Sequence, residues 1–465
     1  MRKGLFVLLS LALVVALAVP ASAEMKLTGF YRVKPTVSNF LGAGNTQLNV
    51  PGDAAGALNK AATETSTNFT EMRNRLRFEI GDENVKGITF FEIDGNFGDV
   101  GGSIGRNQGF ANNGDSINIE TKNVYVWFKI PDTTVTFQVG LQNYTDEFAG
   151  LLFGASDQAG VVMGAKFEPV TLRLTWIKLR DNVSFTGADP VQQWASSNPG
   201  DKSADYYAID AKFGPTKEVN VTGHFAFLRD SQSAIVEPTE VPAATADKLK
   251  AYYVGANATI NVAPATLTAF FLYNFGTFER TAGNADVDIS GYAGSVRADL
   301  QLGPGNAFIE GLYVSGDNSP NDTKYKSVIT GSDYANLTSF YVRPDLIILF
   351  PNADMINSAK GLVFNPNNSG RGLILGAAGF SMKLADKVSG KVGLGYLTAD
   401  KKRGTGNDKS MATEVNANVN YNISKGLDFG LYGAYAFLGG FYDVPAPGAS
   451  PDDLYAFYGR LNYAF

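Results

Sequence analysis

The chain has 465 residues, 39 Lys and Arg against 45 Asp and Glu, a formal net charge of −6, no cysteine and a single histidine, His224. The acidic balance argues against a nucleic-acid binder, which carries a basic surplus. Without cysteine there is no disulfide framework, thiolate metal site or c-type haem attachment, and one histidine cannot build a multi-histidine metal site.

Met1-Arg2-Lys3 precede an apolar run from Leu5 to Val19, and Pro20-Ala21-Ser22-Ala23 follow it as an A-x-A-type cleavage signature. This predicts a secretory signal peptide over 1–23, with Glu24 as the first mature residue. No cysteine follows to carry a lipoprotein anchor. Beyond it no apolar stretch reaches the roughly 18 residues of a spanning helix. With no linker and no shift of composition, 24–465 reads as one domain. Its 51 Gly, 21 Tyr and 32 Phe fit a large β-barrel, where glycine relieves crowding and aromatics populate membrane interfaces.

Period-two alternation dominates from there on. Strands are predicted at 26–34, 69–81, 87–96, 118–130, 134–143, 159–168, 170–181, 204–213, 219–229, 250–260, 266–277, 289–301, 307–315, 372–384, 388–398, 411–422, 427–437 and 453–465. The expected fold is all-β: a transmembrane antiparallel barrel of about 18 strands, or about 16, and even-numbered because both ends lie in the periplasm. In 69–81, Asn74, Leu76, Phe78 and Ile80 share one face, with Glu71, Arg73, Arg75, Arg77 and Glu79 opposite. In 134–142, Val135, Phe137, Val139 and Leu141 alternate with Thr134, Thr136, Gln138 and Gln142. In 413–422, Val415, Ala417, Val419 and Tyr421 alternate with Glu414, Asn416, Asn418, Asn420 and Asn422. An apolar face toward lipid and a polar face toward a wet lumen is the signature of a membrane strand.

The connections alternate too. Asp82–Lys86, Pro131–Thr133, Glu168–Pro169, Gly214–Glu218, Gly303–Gly305 and Ser424–Gly426 are short turns suited to the periplasmic side. The segments 35–68, 97–117, 182–203, 230–249 and 316–371 are long, polar and suited to the extracellular side. Phe78, Phe167, Phe213, Tyr421, Tyr463 and Phe465 all fall near the short-turn ends, as an interfacial girdle would.

The last strand, Tyr455 to Phe465, places Tyr455, Phe457, Gly459, Leu461, Tyr463 and Phe465 on one face and stops at phenylalanine. It resembles the C-terminal strand of bacterial outer-membrane proteins, and the resemblance implies that Phe465 is the signal read by the barrel-assembly machinery. The hairpin of Val124–Phe128 and Val135–Gln142, followed by Asn143 to Asp157, is similar to the region of general diffusion porins where a third extracellular loop folds into the barrel. Glu147-Phe148-Ala149-Gly150 looks like the acidic-Phe-Gly motif of that loop, with Ala149 in place of a glycine. The porin resemblance implies a Gram-negative outer-membrane location among lipid and lipopolysaccharide, passive passage of small hydrophilic solutes or ions, and, by analogy, a homotrimer. The extra strand pair and the long 316–371 segment depart from a 16-stranded porin. They leave open a substrate-specific or exporter-type barrel, or one that sheathes a partner protein.

A channel needs a constriction and a field, not a catalytic group. Arg73, Arg75 and Arg77 form a ladder on the inferred lumenal face, since each would cost about 2 to 4 kcal/mol toward lipid. Asp146, Glu147 and Asp157 are assigned to a constriction loop, 143–158, opposing that ladder. The alternative is that Glu71, Glu79 and neighbouring strands simply neutralise the arginines. Tyr125 and Trp127 are candidates for stacking on solute rings, His224 reads as an ordinary lumen residue, and Asn112–Asp115 reads as a solvated turn that could hold calcium. No nucleophile elbow, HExxH or phosphate loop occurs. The chain is therefore expected to be neither an enzyme nor a holder of cofactor or metal.

Overall fold

The computed structural model describes Glu24 to Phe465 apart from 41–57, 59, 100–109, 111–118, 181–202, 232–245, 281–284, 319–322, 335–338, 340, 342–344, 352–353, 355, 357–360, 364, 403–407, 444–447 and 449. The signal-peptide assignment and the Asn112–Asp115 turn lie outside the described residues.

Long antiparallel strands dominate. They are β1 (Glu24–Ser38), β2 (Thr67–Gly81), β3 (Val85–Asn96), β4 (Glu120–Lys129), β5 (Thr136–Tyr144), β6 (Ser156–Phe167), β7 (Val170–Arg180), β8 (Ala204–Phe213), β9 (Val219–Asp230), β10 (Ala246–Val262), β11 (Ala265–Arg280), β12 (Val287–Leu302) and β13 (Gly305–Val314). A two-residue strand β14 (Lys324–Tyr325) follows, then β15 (Leu373–Ala385), β16 (Val388–Ala399), β17 (Ser410–Ser424), β18 (Leu427–Leu438) and β19 (Leu454–Ala464). Each long strand pairs with its neighbour in sequence, β13 pairs with β15, and β1 pairs with both β2 and β19. The result is a closed 18-strand barrel plus one extra strand, β14, laid parallel beside β12. Both the strand count and the predicted segments match, with the larger of the two expected counts realised.

Closure depends on the last residue. Gly29 N–H donates to the Phe465 carbonyl and Phe465 N–H to the Gly29 carbonyl, each at 3.1 Å. The Phe465 ring lies 6.0 Å from Tyr31 and 5.7 Å from Tyr463. A Cβ at Gly29 would run into the Arg75 carbonyl and lie 3.2 Å from the Phe465 ring, so the seam requires glycine there. The termini share an end with the short turns. One of those turns is capped by Asp82, whose carboxylate accepts the N–H groups of Asn84 at 2.7 Å and Val85 at 3.0 Å.

Outside, Val124, Val126, Val139, Phe271, Val296, Ile309, Val392, Leu394 and Leu431 stand exposed on one strand parity. An apolar belt of that extent is not tolerated in water and is the lipid-facing surface of a membrane barrel. Phe167, Phe213, Tyr421, Tyr463 and Phe465 are exposed near the short-turn rim, where the sequence placed a girdle.

The interior departs from expectation. A uniformly polar lumen was predicted, but the inner faces of β10 to β15 carry Leu249, Ala251, Leu272, Ile289, Ala293, Leu312, Val314, Leu373 and Leu375, all buried. They pack in one cluster with Leu151, Leu152 and Phe153 from the β5–β6 connection and with Val328, Ile329 and Leu346–Phe350 from the β13–β15 connection. The physical reason is local cover. These strand faces do not meet water, because two connecting segments fold back into the barrel and bury them.

Candidate pore lining and constriction

The β5–β6 connection enters the barrel because one carboxylate organises it. Asp146 accepts N–H groups from Phe148 at 2.6 Å, Gly150 at 3.1 Å, Leu152 at 2.6 Å and Phe153 at 2.7 Å. Asp146 is buried, and desolvation pushes its carboxyl up to about 6 against those four amides, which favour the charged form. The resulting turn presents Phe148 to the inner wall. Its ring lies 4.6 Å from His224 on β9 and 5.7 Å from Phe270 on β11. Glu147 forms an ion pair with Arg173 on β7 at 3.1 Å, and its backbone carbonyl accepts Asn257 Nδ2 on β10 at 2.6 Å. His224 sits on the inner face as read from the sequence, with Nδ1 2.6 Å from Asp210.

The β13–β15 connection is the larger insertion. Glu414 on β17 receives the N–H groups of Ile347, Ile348 and Leu349 at 2.7, 2.9 and 2.8 Å. Asn274 on β11 receives Ile329 N–H at 3.0 Å, and Tyr253 on β10 donates its hydroxyl to the Ile329 carbonyl at 3.1 Å. Asp333 gathers Thr330 N–H at 2.7 Å and the amides of Asn365 and Asn367 at 2.8 and 2.9 Å, and burial pushes its carboxyl up to about 6. The two insertions lean on one another: Leu152 accepts Gly331 N–H at 2.8 Å and Ser339 Oγ–H at 2.6 Å.

The charged wall lies elsewhere, on β19, β1, β2 and β3. Arg73 forms a two-pronged pair with Asp94, at 2.8 and 2.5 Å, and reaches Glu92 at 3.4 Å. Arg75 is paired to Glu92. Arg77 contacts Glu79 at 3.5 Å and donates to the Tyr125 hydroxyl at 3.4 Å, and its side chain is 42% exposed. Lys34 pairs with Glu71 at 3.3 Å, with both side chains buried. Arg32 and Arg460 extend the wall. Asp354 of the long insertion meets them at 3.6 and 2.7 Å, and Arg460 also holds Asp428 at 2.6 Å. All three ladder arginines share the inner parity, with Ile80 exposed on the other face.

Of the other sequence candidates, Tyr125 pairs across from Ile88 and Trp127 from Lys86, and both share the inner parity, since Val124 and Val126 are exposed outside. Asp157 lies not on the inserted loop but at the start of β6, on the parity of exposed Ala159, tied to Lys122 at 2.7 Å and Asn123 at 2.8 Å. It is therefore removed from the ladder by three strands, β3 to β5, and by its own ion pair. Asp146 is committed to backbone amides, and Glu147 faces β7 and β10. Among the described residues, the insertion carboxylate that reaches the arginine wall is Asp354. Sequence reading missed it because nothing local distinguishes one aspartate in a polar 56-residue stretch, 316–371. Arg32 and Arg460 carried a readable signal: each alternates with apolar residues on a strand at the seam.

No protein-family model matches this sequence, and no curated protein matches it. Among solved structures the chain is similar to OccAB4 of Acinetobacter baumannii, at 11% identity and a TM-score of 0.54, covering 96% of this chain and 100% of that one. It is similar to OpdQ of Pseudomonas aeruginosa, at 11% identity, TM-score 0.53 and coverage of 95% and 97%. It is also similar to OccK5 (OpdH) of the same organism, at 9% identity, TM-score 0.52 and coverage of 95% and 98%. These are outer-membrane porins. Identity this low speaks for the fold alone, and the fold of this chain is a closed 18-strand antiparallel barrel.

Proposed function

We propose that this protein is a passive outer-membrane channel for small hydrophilic solutes or ions, with selectivity set by the arginine wall, which Asp354 of the long insertion meets, and by Glu147 of the shorter insertion on the facing side. The observation that carries the reading is the pairing of a lumenal guanidinium row with folded-in loops. A narrowed path beside fixed, oriented charge discriminates among solutes by their charge and dipole. Arg77, half-open to water, is the ladder member best placed to meet a solute. Glu147 and Asp354 supply negative charge from the two insertions, and Asp146 acts through the shape it gives its loop. Tyr125, beside Arg77, offers a ring face for stacking.

The interior packing favours a selective channel over a wide general one. It also favours a channel over an exporter or a sheath for a partner protein, because the space such cargo needs is occupied by side chains of the long insertion. The fold shared with OccAB4, OpdQ and OccK5 supports the channel reading, not the choice between a selective and a general one.

The test is planar-bilayer recording of the refolded protein under a salt gradient. The Arg75→Gln/Arg77→Gln variant is expected to move the reversal potential toward cation preference, with the barrel intact. An unchanged ion preference would remove the wall from the mechanism. A conductance too small to measure under any gradient would remove the channel itself. The role of Phe465 as an assembly signal has a separate readout: its deletion is expected to lower the yield of heat-modifiable barrel without altering conductance of the molecules that do fold.

A further inference from the structure

A second charged surface lies on the outside of the barrel, where the mechanism above has no use for it. Across β8, β9, β10 and β11 the register places Tyr207 opposite Phe227, Phe227 opposite Tyr252 and Tyr252 opposite Phe275. Their rings stack in sequence at 6.4, 4.7 and 5.3 Å. Four rings at one level on the lipid-facing parity mark the depth of a membrane interface. One step toward the long loops, the same parity carries Lys178, Asp205, Arg229 and Lys250 in successive register, and Lys248 stands one step further. Asp205 is held by Lys178 at 3.1 Å and by Trp176 Nε1 at 2.9 Å, and Glu279 is paired to Lys250. Positive side chains therefore outnumber negative ones in this patch, and Arg229, Lys248 and Lys250 are all exposed.

The patch is also concave. Arg229, Ser231, Lys248 and Lys250 border a cavity of about 310 Å³, with Leu249 and with Asp230, whose carboxylate is paired to Arg180. Nearer the short turns and displaced sideways onto β6 to β9, an apolar groove of about 360 Å³ runs down the lipid-facing wall between Leu174, Trp176, Tyr207, Ile209, Phe225 and Phe227, and meets the hollow along β9, where Phe227 lies two residues from Arg229. Tyr207 and Phe227 belong to both the aromatic row and the groove, so the two are continuous. A basic hollow above the interface and a greasy slot below it match one kind of molecule: an amphiphile with an anionic head and acyl chains. The long-loop end faces the outer leaflet, where that amphiphile is the phosphorylated, multiply acylated lipid of lipopolysaccharide.

We propose that Arg229, Lys248 and Lys250 bind a phosphate of lipid A, with one of its acyl chains seated in the groove between Trp176 and Phe227. The site would anchor the β8–β10 wall, the same wall that supports the inserted loop through His224 and Asn257, to the outer leaflet.

The experiment uses the full barrel in phosphatidylcholine nanodiscs, titrated with hexa-acylated lipid A, with its dephosphorylated form and with inorganic pyrophosphate, bound lipid being counted by native mass spectrometry. Lipid A is expected to bind. Arg229→Gln/Lys248→Gln/Lys250→Gln should weaken it by on the order of a hundredfold, at roughly tenfold or less for each cation. Lys248→Arg should bind as the parent does. Phe227→Ala should weaken lipid A without changing the response to pyrophosphate. Conductance of every variant should match the parent, which verifies folding and separates this result from the channel reading. Equal binding of the phosphorylated and dephosphorylated lipids, retention by the triple variant, or full displacement by pyrophosphate at its own affinity would each overturn the proposal. The last would mark a free-phosphate site rather than a lipid site.

Discussion

Two walls of one barrel solve the same problem in opposite ways. On β19 and β1 to β3 the inward parity is charged, and each cation lies against a carboxylate: Arg73 against Asp94, Lys34 against Glu71, Arg460 against Asp428. On β10 to β15 the inward parity is apolar toward the long loops, where it lies against Ile329, Leu346–Phe350 and the Leu151–Phe153 turn, with Asn274, Ser295 and the Arg297–Glu310 pair set into it. The first wall keeps polar groups in the lumen by pairing them. The second keeps few polar groups, each bonded within the packing, because a connecting segment supplies a dry partner. The lumen is thus not one environment: one wall is charged and paired, and the other is packed against the inserted segments.

Substitutions can break that contrast, beginning with the dry side. Ile348 is fully buried, so Ile348→Asp would place a charge among aliphatic side chains at a cost of several kcal/mol. The long insertion is expected to leave the lumen, with a several-fold rise in single-channel conductance and new protease cleavage within 345–363. Unchanged conductance would mean that the insertion does not limit the path. On the wet side, Arg73→Gln would leave Asp94 buried without its two-pronged partner, and loss of one member of a buried pair costs about 3 to 5 kcal/mol. The urea midpoint of barrel unfolding should fall accordingly, while Arg73→Lys should recover part of it. A midpoint equal to the parent would show that the pair is solvated.

Asp146 tests the smaller insertion. Asp146→Ala would orphan four amides, and each unsatisfied buried donor costs about 1 to 3 kcal/mol before water enters. Noisier, larger single-channel currents are expected, and quiet currents at parental amplitude would contradict the organising role. Its ionisation has a defined sign. The carboxyl titrates near 6 when the loop is docked, above the ordinary carboxylate range, so the docked state holds the proton more tightly than the undocked one. Docking should therefore be firmest below the ordinary carboxylate pKa and should weaken as pH rises through about 6. Currents should be quieter at pH 5 than at pH 7, and Asp146→Asn should flatten that difference. The smallest effect belongs to Arg77, whose contacts are long and half-exposed. Arg77→Gln should change unfolding stability by less than about 1 kcal/mol, yet still move the reversal potential, which separates a solute-facing charge from a structural one.

How much of this was legible depended on whether the signal was local. The outward parity of Val135–Leu141 and Val415–Tyr421 and the inward parity of Glu71–Glu79 follow from alternation alone, because successive side chains of a strand point to opposite faces. The terminal Phe465 and the short turns fixed the ends of the barrel for the same reason. The site was legible in halves. The arginine ladder could be placed on the inner wall, and Glu147 on an inserted loop, but their partners could not be named. Arg73 with Asp94, Glu147 with Arg173 and Arg460 with Asp354 are joined by register and by loop docking, which sequence spacing does not encode.

The sequence by itself therefore determined the all-β barrel, its strand positions, its short and long ends and the direction of residues in the strands of clear alternation, such as 69–81 and 413–422, since these rest on a period of two and on turn chemistry. The tertiary structure decided the closure between β1 and β19, the entry of two connections into the lumen and the division of the interior into a charged wall and a packed one. Whether an inward leucine meets water, and which carboxylate an inward arginine meets, depends on segments distant in the chain that are brought together when the ring closes.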